Sequence, residues 1–193
     1  MPIFIQTVVG NYPKVFRLNS KHRSIQDFKF CENQNFIKRL LESFVLCDVQ
    51  DDDIDGKLYV DKLTGQKWEV YEYDDFNTYR EPYPKGIRHF PYLSVPDTIE
   101  VICSSIYDDE IKGACRLLLE NEWLGMEFRE QLLNEIEKRQ INVKKKKYKL
   151  IFQAAELDNT TNKRDTLNKT LTNIEADYKY YLDLAERALR LKG

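Results

Sequence analysis

The length, composition and charge of the chain favour a folded protein and argue against nucleic-acid binding and membrane insertion. The 193 residues can bury a sizeable core, and 42% of them are hydrophobic, as in globular proteins. The net charge is −2, whereas a nucleic-acid-binding domain is expected to be basic. There is no apolar run of the ~20 residues that a membrane span needs. Because the start lacks a signal-peptide pattern and the four cysteines are far apart, we expect a reduced, cytoplasmic protein.

The N-terminal part of the chain is predicted to contain short strands and one helix. Alternation and flanking turn residues predict strands at Ile3–Val9 and Val15–Leu18. Apolar residues recur at helical spacing from Asn35 to Cys47, which predicts a helix over that range. An acidic turn over Asp48–Gly56 is expected to end this helix.

The middle of the chain contains the clearest local signal, a β-hairpin. Lys57–Val60 and Lys67–Tyr71 alternate in character, and the Thr64-Gly65 step between them favours a turn. The following segment, Asp74–Pro96, holds four of the six prolines, so it is predicted to be a long irregular connection.

The second half of the chain is predicted to be mainly helical. A short helix is expected around Asp97–Ile102. The apolar spacing within Ile111–Leu119 and Phe128–Ile136 then predicts an αα-hairpin with Gly125 near its turn, each helix covering the other's apolar stripe. Lys144–Lys147 follows, and we expect it to form an exposed strand edge protected by its charge.

A last helix is predicted from about Lys163 to Leu191. Its apolar residues are spaced four and three apart over about three heptads, the lower limit for a coiled coil. The helix could therefore pack on its own domain or pair with a second copy in a homodimer through Leu167–Leu189. The stripe comprises Leu167, Leu171, Ile174, Tyr178, Tyr181, Ala185 and Ala188 or Leu189.

These elements together predict an α+β protein. A small β-containing part with one helix and a hairpin, residues 1–96, precedes a helical part, residues 97–193, which contains the αα-hairpin and the long C-terminal helix. The two parts could also form one continuous domain.

Few residues could carry catalysis. The two histidines, His22 and His89, have no metal-ligand spacing, and no phosphate-binding loop or nucleophile motif is present. We therefore expect no catalytic residue, no metal site and no cofactor. A hydrolase that uses His89 with Asp74 or Asp75 ranks third among the functional hypotheses.

An acidic segment begins like a calcium-binding loop. Asp51-x-Asp53-x-Asp55-Gly56 matches the first half of an EF-hand loop, but the twelfth position is Lys62 where a bidentate glutamate is required. A solvated acidic loop is the favoured interpretation.

The same acidic residues lie close in sequence to several tyrosines. Such a combination is typical of a protein that binds and inhibits a basic protein, although an acidic run can also simply keep a turn soluble. The candidate partner-binding residues are Asp51, Asp52, Asp53, Asp55, Tyr59, Tyr71, Tyr73, Asp74 and Asp75.

Two motifs within residues 35–140 resemble small bacterial proteins. The first is Tyr59-x-Asp61-x-x-Thr64-Gly65-x-x-Trp68; the second, after a proline-rich stretch, is Ser105-x-x-Asp108-Asp109-Glu110-Ile111-x-Gly113-Ala114-x-x-Leu117-Leu118. The combination is similar to immunity proteins of polymorphic or contact-dependent toxin systems. The resemblance implies an antidote that binds a partner toxin, such as a basic toxin domain, without chemistry of its own. A scaffolding protein that oligomerises through its C-terminal helix is the alternative.

Overall fold

The computed structural model describes residues 16–18, 21–23, 28–47, 56–73, 84–140, 145–160 and 169–192. Within these ranges the protein has a five-stranded antiparallel sheet, a two-stranded sheet and six helices, so the predicted α+β class with a long C-terminal helix is confirmed. The predicted strand at Ile3–Val9 lies outside the described residues, as do positions 48–55 of the acidic turn.

The elements are numbered in chain order. The strands are β1 (Phe16–Leu18), β2 (Lys21–Arg23), β3 (Phe30–Cys31), β4 (Phe44–Leu46), β5 (Lys57–Asp61), β6 (Lys67–Glu72) and β7 (Lys85–Phe90). The helices are α1 (Gln34–Leu41), α2 (Val95–Ser104), α3 (Asp108–Trp123), α4 (Arg129–Lys138), α5 (Lys145–Ala154) and α6 (Leu171–Lys192). Contacts divide the chain into a first unit, residues 1–28 and 33–90, and a second unit, residues 29–32 and 91–193.

The predicted β-hairpin is present in the first unit as β5 and β6, and its turn is held by a buried aspartate. The Asp61 carboxylate accepts a hydrogen bond from the Leu63 backbone N–H at 3.0 Å and from the Thr64 hydroxyl at 2.6 Å. Gly65 has φ +71°, a conformation that favours glycine. The first motif of the resemblance is therefore the sequence of a hairpin turn, extended outward by β4 beside β5 and by β7 beside β6.

Helix α1 covers one face of this sheet with its apolar side. Phe36, Ile37 and Leu40 are buried, and the Phe36 ring meets that of Phe28 at 5.3 Å. Phe28 in turn contacts the ring of Trp68 on β6 at 5.2 Å. This aromatic cluster forms the core of the first unit.

The prediction of one helix from Asn35 to Cys47 is wrong at its C-terminal end. Helix α1 ends at Leu41, and the Ser43 side chain and N–H both hydrogen-bond to the carbonyl of Leu40. Residues 44–46 then form β4, where Phe44 lies opposite Asp61. Phe44 continues the helical apolar spacing, so periodicity alone could not separate the helix from the strand.

The prediction of an irregular connection from Asp74 to Pro96 is also wrong in part, because β7 lies within it. Lys85–Phe90 pairs with β6 over its whole length. Pro84 and Pro91 lie directly outside the strand, where they do not remove a hydrogen bond of the ladder.

The core of the second unit consists of apolar side chains from β3 and the helices. Both helices of the predicted αα-hairpin are confirmed, as α3 and α4, and Gly125 between them has φ +83°. However, α3 packs mainly on α2 and α5, whereas α4 packs on α2 and α6. The apolar stripes of α3 and α4 are thus covered largely by α2, α5 and α6, and not by each other.

The prediction of a strand edge at Lys144–Lys147 is wrong, because Lys145–Ala154 forms helix α5. Tyr148, Ile151 and Phe152 are buried at helical spacing. The Lys147 ammonium donates hydrogen bonds to the carbonyls of Cys103 and Ser105, both at 2.6 Å. Those carbonyls lie at the C-terminal end of α2, where a cation is favourable.

Helix α6 packs on its own unit with its C-terminal half. Tyr181, Leu184, Ala185 and Ala188 are buried, and the Tyr148 hydroxyl donates a hydrogen bond to the Ala188 carbonyl at 2.6 Å. Positions 163–168 of the predicted helix lie outside the described residues.

Candidate functional site

The structure describes only the tyrosines among the predicted partner-binding residues. Tyr59 and Tyr73 are half-buried, and Tyr71 is 5% exposed. The Tyr71 ring lies 6.1 Å from that of Tyr73 and 4.7 Å from the guanidinium of Arg88. Tyr71 is therefore part of the packing of the sheet and offers little surface to a partner. Asp51, Asp52, Asp53, Asp55, Asp74 and Asp75 lie outside the described residues.

A buried ion pair lies beside Tyr71 on the same sheet face. Glu69 and Arg88 are directly opposite each other on β6 and β7, with side chains 0% and 6% exposed. Arg88 Nε donates to Glu69 Oε2, while Glu69 Oε1 is buried and has no hydrogen-bond partner among the described residues. Since β7 was not predicted, this pair could not be inferred from the sequence.

The candidate catalytic histidine, His89, packs against the aromatic core of the first unit. Its half-buried ring meets the buried Trp68 ring edge-on at 5.2 Å. Asp74 and Asp75, its proposed partners, lie outside the described residues. The contact with Trp68 gives His89 a role in packing.

A polar cleft of about 480 Å³ lies between α2 and α4 in the second unit. Arg139 pairs there with Glu100 and with Glu135, whose carboxylate also accepts from Lys138 at 3.1 Å. These hydrogen bonds lower the pKa of both carboxyl groups. Because the two cations and two carboxylates neutralise each other, the cleft has no excess charge with which to hold an ion.

A second buried ion pair fixes the end of the second unit at which α3 gives way to α4. Arg129 donates to both carboxylate oxygens of Glu122, at 2.6 and 2.9 Å. Its remaining amino group donates to the carbonyls of Glu156 and Asn159, at 2.9 and 2.7 Å. The guanidinium also lies 5.2 Å from the ring of Tyr181 on α6. One side chain thus joins four parts of the helical unit.

Large apolar side chains are exposed at this same end. We call the following six residues the apolar end. They are Trp123 (64% exposed), Leu124 (75%), Met126 (48%), Leu171 (72%), Ile174 (37%) and Tyr178 (54%).

The direction of α6 places the two groups of the apolar end, around the α3–α4 turn and on α6, toward the same end of the second unit. The Tyr180 hydroxyl lies 3.4 Å from Glu130, and Arg187 donates to Glu137 at 2.8 Å, so α6 runs in the same direction as α4. At about 1.5 Å per residue, the 22 residues of α6 span about 33 Å and the 10 residues of α4 about 15 Å. Residues Leu171–Lys179 therefore extend past the start of α4, on the side of the α3–α4 turn.

The exposed stripe of α6 is a continuation of its buried stripe. Tyr178, Ile174 and Leu171 precede the buried Tyr181 by three, seven and ten residues, which places them on the same helix face. Their exposed fractions are 54%, 37% and 72%, respectively. An apolar helix face that continues from a buried part of a helix into an exposed part is typical of an interaction surface.

Carboxylates predominate around the apolar end. The segments Glu120–Glu130 and Lys169–Lys179 contain six carboxylates and three cations, a local net charge of −3. Arg129 is occupied by Glu122 and Lys169 by Asp177, so Lys179 is the one remaining cation within these two segments.

The sequence did contain a signal for part of this surface. Trp123, Leu124 and Met126 surround Gly125, and large apolar residues beside a turn glycine are candidates for exposure. The exposure of the α6 residues could not be predicted from the sequence, because it depends on where the neighbouring helices end.

Comparisons with known proteins gave no match: no family model, no curated protein and no solved structure is significantly similar to the chain. Among the helices of the described ranges, none is both long and apolar enough to cross a membrane. Within those ranges, no three His, Cys, Asp or Glu side chains are grouped to hold a metal ion.

Proposed function

We propose that the protein acts by binding another protein through the apolar end. The observation that carries this proposal is the exposure of Trp123, Leu124 and Tyr178 on a part of the molecule fixed by the buried Arg129–Glu122 pair. Tryptophan and tyrosine are enriched among residues that dominate binding energy. A rigid platform lowers the entropic cost of association.

The more specific form of this proposal is an inhibitor, such as an immunity protein that neutralises a toxin by occupying its surface. The resemblance carried by the two motifs and the acidic surroundings of the apolar end support this form. The four cysteines are free, which suits a reducing compartment such as the cytoplasm.

A scaffolding role is the second candidate. The exposed Leu171, Ile174 and Tyr178 could pair with the same stripe of a second copy. This role predicts a dimer, whereas the inhibitor role predicts a complex with a different protein.

The proposal is tested by capturing partners with the tagged full-length chain from its native cells. Trp123→Ala and Leu124→Ser should lose the captured protein, because they truncate exposed apolar contacts without touching the core. The matched control is Leu63→Ser, which alters a leucine that is 70% exposed in the hairpin turn of the first unit. Equal capture by all of these variants would contradict binding through the apolar end.

A further inference from the structure

We infer that the partner of the apolar end is a protein whose contact surface combines an apolar pocket with surrounding lysine or arginine side chains. This inference rests on the proposed function and adds the chemistry of the partner. It is carried by the distribution of charge around the exposed apolar residues.

Acidic side chains adjoin both parts of the apolar end. Glu130 lies in the first turn of α4, four residues after the exposed Met126 in the sequence, and its carboxylate accepts a hydrogen bond from the Tyr180 hydroxyl. Glu175 is exposed and adjoins Ile174 on α6. The segments Glu120–Glu130 and Lys169–Lys179 together have a net charge of −3. The exposed apolar residues therefore lie among side chains of net negative charge.

This distribution discriminates between possible occupants. Two copies meeting through their apolar ends would bring two surfaces of −3 together, and juxtaposed like charges oppose association. A membrane surface rich in anionic lipid would be repelled for the same reason. A basic protein surface would be attracted, and its encounter would be accelerated at low salt.

The test uses two synthetic amphipathic helices as probes for the full-length chain. Both have leucine at the same positions, while one has lysine and the other glutamate at every remaining position. We expect the leucine–lysine helix to bind in fluorescence anisotropy, more weakly as salt is added, and the leucine–glutamate helix not to bind. The exposed Trp123 provides a second readout, because its emission shifts to the blue when a probe covers it.

Three variants locate the interaction. Trp123→Ala should abolish probe binding. The double variant Glu130→Gln/Glu175→Gln should lower the association rate several-fold at low salt and flatten its salt dependence. The matched control is Glu42→Gln, which removes an exposed carboxylate of the first unit and should change nothing.

Several outcomes would overturn the inference. Equal binding of both probes through Trp123 would show that charge plays no part, while leaving the proposed protein-binding function intact. Failure of both probes, or binding that survives Trp123→Ala, would contradict a basic partner at this surface. A dimer in sedimentation that Trp123→Ala converts to a monomer would identify a second copy as the occupant. A blue shift of Trp123 on anionic vesicles alone would identify a membrane.

Discussion

Arg129 and Glu122 form a bidentate ion pair across the α3–α4 turn, with side chains only 1% and 0% exposed. The pair is separated by seven residues and spans the exposed turn that holds Trp123, Leu124 and Met126. Because the same guanidinium binds two carbonyls after α5, the turn is fixed from two directions. The exposed residues are therefore presented from a rigid base.

Removing one partner of this pair should strongly destabilise the protein. Arg129→Met leaves the Glu122 carboxylate buried without its cation and removes the hydrogen bonds from the guanidinium to the carbonyls of Glu156 and Asn159. We expect a loss of about 3–5 kcal/mol in the free energy of unfolding, measured by urea denaturation. Arg139→Met provides the control, since its ion pairs are partly exposed and should contribute far less. Similar losses for both variants would contradict this account.

The hairpin turn should depend on Asp61. Asp61→Ala removes the acceptor of the Leu63 N–H and of the Thr64 hydroxyl, two hydrogen bonds worth about 0.5–1.5 kcal/mol each. Gly65→Ala places a side chain at φ +71° and should cost about 1–2 kcal/mol. Thermal unfolding measures both changes. Lys62→Ala, at an exposed turn position, should leave the melting temperature unchanged.

Two tyrosines on one face of α6 should behave oppositely. Tyr181 is 1% exposed and contacts Arg129, so Tyr181→Ala should cost about 3 kcal/mol or more. Tyr178 is 54% exposed, so Tyr178→Ala should change the free energy of unfolding by less than about 0.5 kcal/mol. Chemical denaturation of the two variants compares them directly. A large loss for Tyr178→Ala would mean that this residue is covered within the chain.

The pH dependence of the free energy of unfolding should reveal the raised pKa of Glu32. Burial raises the pKa of this carboxyl above its ordinary value of 4.5, and Arg116, whose Nε donates to it at 3.0 Å, opposes the shift only in part. As the pH rises above 4.5, the Glu32 carboxyl ionises in the unfolded chain before it ionises in the folded protein. The contribution of Glu32 to the free energy of unfolding is therefore lost as the pH rises through its folded pKa. Glu32→Gln does not ionise and keeps an acceptor for Arg116.

The comparison for Glu32 is therefore made across a pH range. From about pH 4 to about pH 7 the free energy of unfolding of the wild type should fall relative to that of Glu32→Gln. Glu42→Gln, at an exposed position, should follow the wild type throughout. A wild type that gains stability relative to Glu32→Gln over this range would show that the ion pair with Arg116 outweighs burial.

No hydrolase activity is expected from His89. Its ring packs on Trp68 at 5.2 Å, so its replacement should affect packing rather than turnover. Ester, phosphoester and peptide substrates should be hydrolysed no faster by the wild type than by His89→Ala. Turnover that disappears in His89→Ala, with folding confirmed by circular dichroism, would restore the enzyme hypothesis.

The elements that local sequence determines were predictable, and those that depend on distant residues were not. The Thr64-Gly65 turn with its flanking alternation specifies the hairpin within a few residues. Phe44 fits the apolar period of α1 and also pairs as a strand residue, and only its neighbour β5 decides between the two. Lysines near the start of α5 suggested a strand edge, whereas Tyr148, Ile151 and Phe152 are buried at helical spacing.

The candidate site shows the same division. The acidic residues of the predicted surface lie outside the described residues. Tyr71 is buried beside β7, a strand that was not predicted because prolines flank it. The apolar end depends on α6 extending past α4, a relation between two lengths that no local pattern contains. Trp123 and Leu124 could be noticed in the sequence, but their exposure could not be established there.

The change along α6 from an exposed to a buried apolar stripe has a consequence for mutational tolerance. Within one turn, between Tyr178 and Tyr181, the same apolar stripe changes from exposed to buried. A saturation library of this helix scored for abundance would show intolerance at positions 181, 184, 185 and 188. The same library scored for partner association would show additional intolerance at 171, 174 and 178. Comparing the two maps would separate residues retained for folding from those retained for recognition along a single helix.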